Sequence, residues 1–143
     1  MNAAGSPTIA LSPRVRKFIA APHYASLATT EPDGSPRQAV IWYLLDGDEL
    51  VVNSRVGRRW PTNLLRDGRV YVAVFDETDP MHWVGLLGTA EPMRDQPRAQ
   101  ADIAAMAQRY EDAETAADSI RAFQEQERIS FRIRVRAVHD HLD

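Results

Sequence analysis

Apolar and polar residues alternate along several short segments of this chain, with the period of two that is typical of half-buried β-strands. The clearest segment lies near the C-terminus, where four apolar residues alternate with four polar ones. These are Ile129, Phe131, Ile133 and Val135 against Ser130, Arg132, Arg134 and Arg136. Turn residues at 31–36 and 46–48 separate other segments and indicate hairpins. The pattern predicts six strands, at 24–30, 37–45, 49–54, 69–75, 81–91 and 129–136.

Helices are predicted between some of these strands. Ser12 is predicted to be the N-cap of a helix, and Pro13 its first residue. This helix is predicted to end at 19 or 20. Pro61 marks the start of a short helix, and Gly68 closes it in the left-handed conformation. The alanine-rich segment 96–110 and the segment 118–127 are also helical, with the acidic residues 111–114 as a loop between them.

The predicted second strand is apolar on both faces over its second half. One face carries Val40, Trp42 and Leu44, and the other carries Ile41, Tyr43 and Leu45. One of the two faces must pack on the core, and the other needs a ligand or a partner subunit. Short antiparallel strands that follow one another along the chain favour a barrel or a sandwich over a doubly wound sheet.

Composition narrows the protein class. A chain of 143 residues suffices for one domain, which we expect over 13–143 after a flexible arm at 1–12. The formal net charge of −3 argues against a general nucleic-acid or membrane binder, and no segment is typical of a signal peptide or a membrane span. We therefore expect a cytoplasmic protein. The absence of cysteine excludes thiolate chemistry and disulfides.

A basic turn lies between the third strand and the short helix. Gly57 permits a close approach of backbone to a ligand, and Arg58 and Arg59 precede the helix start. Free N–H groups at a helix start, together with guanidinium groups, form a plausible phosphate site. The alternative is that Arg55, Arg58 and Arg59 form a solvated loop.

Several short motifs together resemble the flavin- and deazaflavin-binding split β-barrel family related to pyridoxamine 5′-phosphate oxidase. The motifs are Ala25-Ser26-Leu27-Ala28-Thr29, Asp33-Gly34-Ser35-Pro36, Val40-Ile41-Trp42-Tyr43, Gly57-Arg58-Arg59, Asn63-Leu64-Leu65-Arg66-Asp67-Gly68 and Val84-Gly85-Leu86-Leu87-Gly88. The chain is most similar to the branch that uses the deazaflavin coenzyme F420. The resemblance implies a mainly β fold with flanking helices: a six-stranded antiparallel split β-barrel, similar to FMN-binding protein.

The resemblance also implies a function and a site. It implies a homodimer with cofactor sites at the interface, and an oxidoreductase that transfers a hydride between F420 and a small conjugated organic substrate. An FMN-dependent enzyme of the same family and a non-catalytic carrier of a flavin or tetrapyrrole are the alternatives. The implied cofactor-binding residues are Val40, Ile41 and Trp42 at the ring, and Asn53, Ser54, Arg58, Arg59, Trp60 and Asn63 at the ribityl chain, phosphate and turn.

One position departs from the family pattern. Trp60 stands where the family commonly has a lysine, three residues before Asn63. A tryptophan cannot replace the charge of a lysine. It could stack on the ring or fill the pocket, with Arg55 or Arg59 supplying the lost charge.

Other candidate residues have simpler interpretations. His139 and His141 would share one side of a strand, and a disordered or dimer-packing tail is favoured over a metal site. Trp83 is expected in the core, with a place near the ligand as the alternative. The arginine stripe of the last strand indicates an exposed face, or else a contact with the acidic tail of F420 or with the other subunit. No proton donor is identified.

Overall fold

The computed structural model describes residues 8–143, which form seven strands and four helices in one antiparallel sheet with flanking helices. The strands are β1 (Tyr24–Thr30), β2 (Pro36–Ile41), β3 (Leu44–Asp46), β4 (Glu49–Arg55), β5 (Arg69–Asp76), β6 (Asp79–Met93) and β7 (Arg128–His141). The helices are α1 (Pro13–Ala20), α2 (Arg59–Arg66), α3 (Gln96–Tyr110) and α4 (Ala113–Gln124). The predicted mainly β class is confirmed.

The strand order in the sheet is β2-β1-β5-β6-β7-β4-β3, so the two edges are β2 and β3. These edges are consecutive in the chain, and only Trp42 and Tyr43 lie between them. The prediction of one strand over 37–45 was therefore wrong, and the sheet has seven strands instead of six. The first half of the segment pairs with β1, and the second half pairs with β4.

The barrel interior is filled by the buried face of each strand. Its largest fully buried side chains include Leu27, Leu50, Val72, Leu86 and Phe131. A second, smaller cluster lies on the other side of β4, where Ile103 and Met106 of α3 pack on Val51. Helix α3 thus covers the outer surface of the sheet next to the β4 end.

Two helix boundaries and one turn differ from the predictions. Helix α2 begins at Arg59, two residues before Pro61. Helix α4 begins at Ala113 because the Asp112 carboxylate caps it, accepting a hydrogen bond from the N–H of Thr115 at 2.9 Å. Gly68 does not adopt a positive φ, whereas Gly57 in the basic turn does, at 97°. An added Cβ at Gly68 would instead lie 2.7 Å from the Ala90 carbonyl oxygen, so close packing requires this glycine.

The predicted N-terminal arm falls partly outside the described residues, which begin at Thr8. Residues 8–12 contact the barrel: the N–H of Ile9 donates to the Val135 carbonyl at 3.0 Å. The N–H of Leu11 donates to the Asp48 carboxylate at 3.1 Å, and the Leu11 side chain is buried. In the part of the chain that the structure describes, no helix combines the length and apolar character needed to cross a bilayer.

The connection between the two sheet edges is held by the Tyr43 side chain. Tyr43 is fully buried, and its hydroxyl donates to the carbonyls of Ile19 at 2.8 Å and Ala21 at 2.9 Å, at the end of α1. Burial raises the pKa of this phenol well above its usual range. Arg109 donates to the same group of carbonyls, reaching Ala21 at 2.8 Å. These bonds satisfy carbonyls that the end of a helix leaves without partners.

We expect Tyr43→Phe to lower the free energy of unfolding by about 1 kcal/mol, because it removes a buried hydroxyl donor while Arg109 still serves the carbonyls. Urea denaturation measures the change. Tyr24→Phe is the matched control, since Tyr24 is exposed, and its effect should stay within about 0.5 kcal/mol. Equal stability of the two variants would contradict the assigned role.

Candidate functional site

A cavity of about 290 Å³ lies beside the crossing from β2 to β3. The end of β2, the end of β4, the start of β7 and the start of α2 form its walls, together with one side of α3 and the segment that follows α4. The volume is near the lower limit of ordinary ligand pockets.

Most of the site residues expected from the sequence line this cavity. They are Val40, Ile41, Trp42, Asn53, Ser54, Arg58 and Trp60. They come from β2, β4 and α2 and from the residues directly after β2 and before α2, so the fold brings together positions that are up to 20 residues apart in the chain.

Arg59 and Asn63 lie outside the cavity. The Arg59 guanidinium pairs with the Glu31 carboxylate at 2.9 Å, on the side of α2 that faces the β1–β2 turn. The Asn63 amide is buried and donates to the Thr29 hydroxyl at 3.1 Å. Both side chains therefore fasten α2 to β1 and to the turn that follows it.

Three arginines line one end of the cavity: Arg55, Arg58 and Arg128, called the arginine trio below. Within residues 8–143, none of the three is within ion-pair distance of a carboxylate. Arg55 lies directly opposite Arg128 in the β4–β7 register. Like charges at directly opposed positions of an antiparallel pair are destabilising. The trio is thus a concentration of positive charge that an anion would neutralise.

Arg128 is the most buried of the trio, at 8% exposure, and two side chains hold its guanidinium group. Its Nε donates to the side-chain oxygen Oδ1 of Asn53 at 3.1 Å, and its Nη1 donates to the side-chain oxygen Oε1 of Gln126 at 2.6 Å. The group also lies over the Phe123 ring, 4.6 Å from its centroid. Burial lowers the pKa of Arg128 to about 10, with smaller contributions from the positive charges of Arg58 and Arg55.

The sequence did not single out Arg128 as a site residue, because only the long-range pairing of β4 with β7 places it next to Arg55. Cavity residues from the helical region were missed for the same reason: Ile103, Met106, Phe123 and Gln126. Tyr24 of β1 was also missed.

Trp60 is largely buried and belongs to the main core. Its ring packs on Phe131, with 6.2 Å between centroids, and one part of it lines the cavity. Trp60 therefore fills space between the core and the cavity, and its stacking on a cofactor ring stays a prediction. Arg55, and not Arg59, is the additional charge in the cavity.

The opposite end of the cavity is apolar and partly open. Val40 is 71% exposed, and Tyr24 is 37% exposed. Trp42 stacks on Tyr110, with the two ring planes only 4° apart and 5.3 Å between centroids. The cavity thus joins a cationic end to a flat aromatic and aliphatic end.

The outer face of the sheet continues from this apolar end. The β1–β2, β1–β5, β5–β6 and β6–β7 registers place three rows of residues on this face. The rows are Val40, Ser26, Ala73, Gly85 and His139; Gln38, Ala28, Tyr71, Leu87 and Ala137; and Tyr24, Phe75, Trp83 and His141. None of these residues is Asp, Glu, Lys or Arg. We refer to this surface as the outer sheet face.

The histidines and Trp83 lie away from the cavity. His141 stacks on Trp83 at 4.2 Å between centroids, so Trp83 lies on the outer sheet face and not in the core. The Tyr71 hydroxyl and His139 Nδ1 are 2.7 Å apart. The described residues contain no group of three or more potential metal ligands.

The arginine stripe of β7 is largely engaged in ion pairs. Arg132 pairs with Glu49 at 2.6 Å, and Arg134 lies 3.6 Å from Glu49 and from Glu91. These contacts join Arg132 and Arg134 to the start of β4 and to Glu91 of β6, and neither arginine lines the cavity. Arg136 is exposed.

Comparison with known proteins identifies one family. Residues 11–141 match the family described as pyridoxamine 5′-phosphate oxidase. No curated protein matches the sequence.

Several solved structures share the fold. An F420 reductase superimposes with a TM-score of 0.69 at 23% identity, over 87% of this chain and 94% of that one. A conserved hypothetical protein from Mycobacterium tuberculosis gives 0.73 at 22% identity, over 95% and 88%. The heme storage protein HutZ from Vibrio cholerae gives 0.69 at 19% identity, over 92% and 95%. Because all three identities are under 25%, these superpositions show a common fold and nothing more.

We expect Arg55→Gln to raise the free energy of unfolding by about 0.5 kcal/mol in the absence of ligand, because it removes a positive charge directly opposite Arg128. Urea denaturation at low salt measures the change, which should shrink as salt screens the repulsion.

Arg59→Gln is the matched control, because Arg59 lies one residue from the trio but pairs with Glu31. Its stability should stay equal to that of the parent protein or fall by up to about 1 kcal/mol. A loss of stability in Arg55→Gln would show that Arg55 is not under repulsion.

Proposed function

We propose that this chain, which belongs to the pyridoxamine 5′-phosphate oxidase family, is an oxidoreductase that binds the deazaflavin coenzyme F420. Its substrate would be a small conjugated organic molecule that exchanges a hydride with the cofactor. The observation that carries the proposal is the cavity itself, which joins three arginines without carboxylate partners to a flat apolar end.

The donor set at the cationic end fits a phosphate-bearing ligand. Arg58 is the N-cap residue of α2, and its side chain makes no capping hydrogen bond to the N–H groups of that helix start within the part of the chain that the structure describes. Guanidinium groups and a helix start both favour bound anions. The trio would hold the phosphate, and its internal repulsion would be relieved when the anion binds.

The apolar end would orient the ring system. Val40, Ile41 and Trp42 form a hydrophobic edge beside the cavity, and the stack of Trp42 on Tyr110 fixes the orientation of that edge. When bound, the reduced cofactor supplies the hydride, while the protein supplies orientation and exclusion of water. Asn53 is fully engaged in hydrogen bonds to protein groups, so its role is to hold Arg128.

A second copy of the chain would complete the site. The outer sheet face is uncharged and continuous with Tyr24 and Val40 at the open end of the cavity. Exposed apolar faces of this kind mark interaction surfaces. A homodimer through this face would cover Val40 and enclose the ring, which the cavity of one chain only partly surrounds.

Two alternatives share the same anion chemistry. FMN also has a phosphate and a flat ring, and a carrier of a flavin or tetrapyrrole would use the same arginines. The structural similarity to an F420 reductase supports ranking F420 ahead of FMN and of a carrier role. The residues that line the cavity include no histidine, the proximal ligand of many heme proteins, so a tetrapyrrole is ranked last.

We expect the protein to bind F420 with micromolar affinity, more tightly than FMN, and Arg58→Ala to weaken this binding about 10-fold or more. A charge-assisted contact is worth about 1.5–3 kcal/mol, which corresponds to that range. Titration followed by cofactor fluorescence at two salt concentrations measures the affinities, and higher salt should weaken binding.

Arg121→Ala is the control for the charge change, because Arg121 is exposed on α4 and pairs with Asp118. Its affinity for F420 should equal that of the parent protein. Tighter binding of FMN would make FMN the cofactor, and binding without catalytic turnover of any reducible substrate would favour a carrier. Binding of neither cofactor would refute the proposal.

We expect Ala73→Glu to convert the dimer into monomers and to weaken F420 binding, because it places a charge at the centre of the outer sheet face. Sedimentation velocity measures the assembly state. Ala105→Glu, at an exposed position of α3, is the control and should remain dimeric. A monomeric parent protein that binds F420 fully would refute the dimer without refuting the cofactor.

A further inference from the structure

We infer that Asp102 and Ser130 are positioning residues, which act through Asn53 to hold the Arg128 guanidinium in the anion site. This inference rests on the part of the proposed function that assigns an anion to the arginine trio. Neither residue lines the cavity, and nothing in the sequence connects them with Arg128.

The four side chains form one hydrogen-bonded chain with a consistent direction. Arg128 Nε donates to Asn53 at 3.1 Å, and the Asn53 amide donates to the Ser130 hydroxyl at 2.9 Å. The Ser130 hydroxyl donates to the Asp102 carboxylate at 2.7 Å. Each of these three hydrogen bonds is donated by the member nearer to Arg128, so the Asp102 carboxylate is the final acceptor of the chain.

The chain is buried along its whole length. Ser130 is inaccessible, and Asp102 and Asn53 are 6% and 8% exposed. Few water molecules can compete for these groups, so the loss of one member removes a buried hydrogen bond from each of its neighbours. The Asn53 amide also donates to the Ala99 carbonyl at 2.9 Å, so without Ser130 it keeps one of its two acceptors. The second partner of Asp102 is Arg98, whose Nε lies 2.9 Å away on the same helix.

This arrangement fixes the donors that Arg128 can offer to a ligand. A guanidinium group has five N–H donors, and the contacts to Asn53 and Gln126 occupy two of them. Phe123 covers one face of the group. Within residues 8–143 no acceptor takes a hydrogen bond from Nη2, so its two N–H groups and one N–H of Nη1 are the three donors left for an anion. Without the bond to Asn53, the planar group could rotate and lose this orientation.

The alternative role for the chain is purely structural. Asp102 belongs to α3 and Ser130 belongs to β7, so their hydrogen bond also fastens the helix to the sheet. A double-mutant cycle separates the two roles because it compares the same substitution with and without Arg128.

The test uses inorganic phosphate as the probe, so that it does not depend on the identity of the cofactor. The rise in Tm with phosphate concentration, at an ionic strength kept constant with chloride, gives the affinity of each variant relative to its own phosphate-free state. A loss of stability in a variant therefore does not enter the measured affinity.

We expect Ser130→Ala to weaken phosphate binding about three- to tenfold in the parent protein and to have no further effect in the Arg128→Gln background. Asp102→Ala should have a similar effect in the parent protein. Arg98→Ala loses the same ion pair as Asp102→Ala but keeps the carboxylate that accepts from Ser130, and it should bind phosphate normally.

Four results would overturn the inference. Unchanged phosphate affinity in both Ser130→Ala and Asp102→Ala would leave Arg128 in the anion site without this positioning chain. An equal loss in the presence and absence of Arg128, or an equal loss in Asp102→Ala and Arg98→Ala, would assign the chain a structural role. If phosphate does not stabilise the parent protein, the anion site and the proposed function fail together. Phosphate binding without F420 binding would refute the cofactor alone.

Discussion

The two-residue connection between β2 and β3 is the constraint on which the rest of the fold depends. Trp42 and Tyr43 join strands that occupy opposite edges of the sheet. Two residues span only about 10 Å between their flanking Cα atoms, so a flat seven-strand sheet is impossible. The sheet must curl until its edges meet at one end. The candidate site lies beside this meeting point, since Ile41 and Trp42 contribute to the cavity wall.

At this closure the cavity also brings together arginine side chains of like charge, which is unfavourable for stability when no anion is bound. Arg55 and Arg128 are opposed across two paired strands, and Arg58 lies close enough to lower the pKa of Arg128 further. Local rules of stability are most often broken at functional sites. Elsewhere on the described surface, Arg59, Arg69 and Arg132 pair with carboxylates, while Arg94 and Arg136 are exposed and do not line the cavity. The trio differs because its three charges lie together at one cavity, and this arrangement supports a ligand role.

Local sequence patterns were sufficient for most of the fold. The bounds predicted for β1 and α3 agree with the structure, because alternation and an alanine-rich helical period are local signals. The split of the second strand was missed because an apolar run does not reveal that its two halves pair with different strands. Arg128 was missed for a related reason, since only the β4–β7 register brings it to Arg55. Arg59 lies outside the cavity although Arg58 lines it, because successive residues at a helix start point in different directions.

The unequal lengths of β4 and β7 have a consequence for association between chains. The β4–β7 pairing ends where Glu49 meets Arg134, while β7 continues to His141. Beyond that point, one side of β7 has no strand partner among residues 8–143. An unpaired strand side is a template for adding foreign strands. The hydrogen bond from Ile9 to Val135 occupies the first acceptor on that side, so the segment 8–12 covers the place where an added strand would begin to pair.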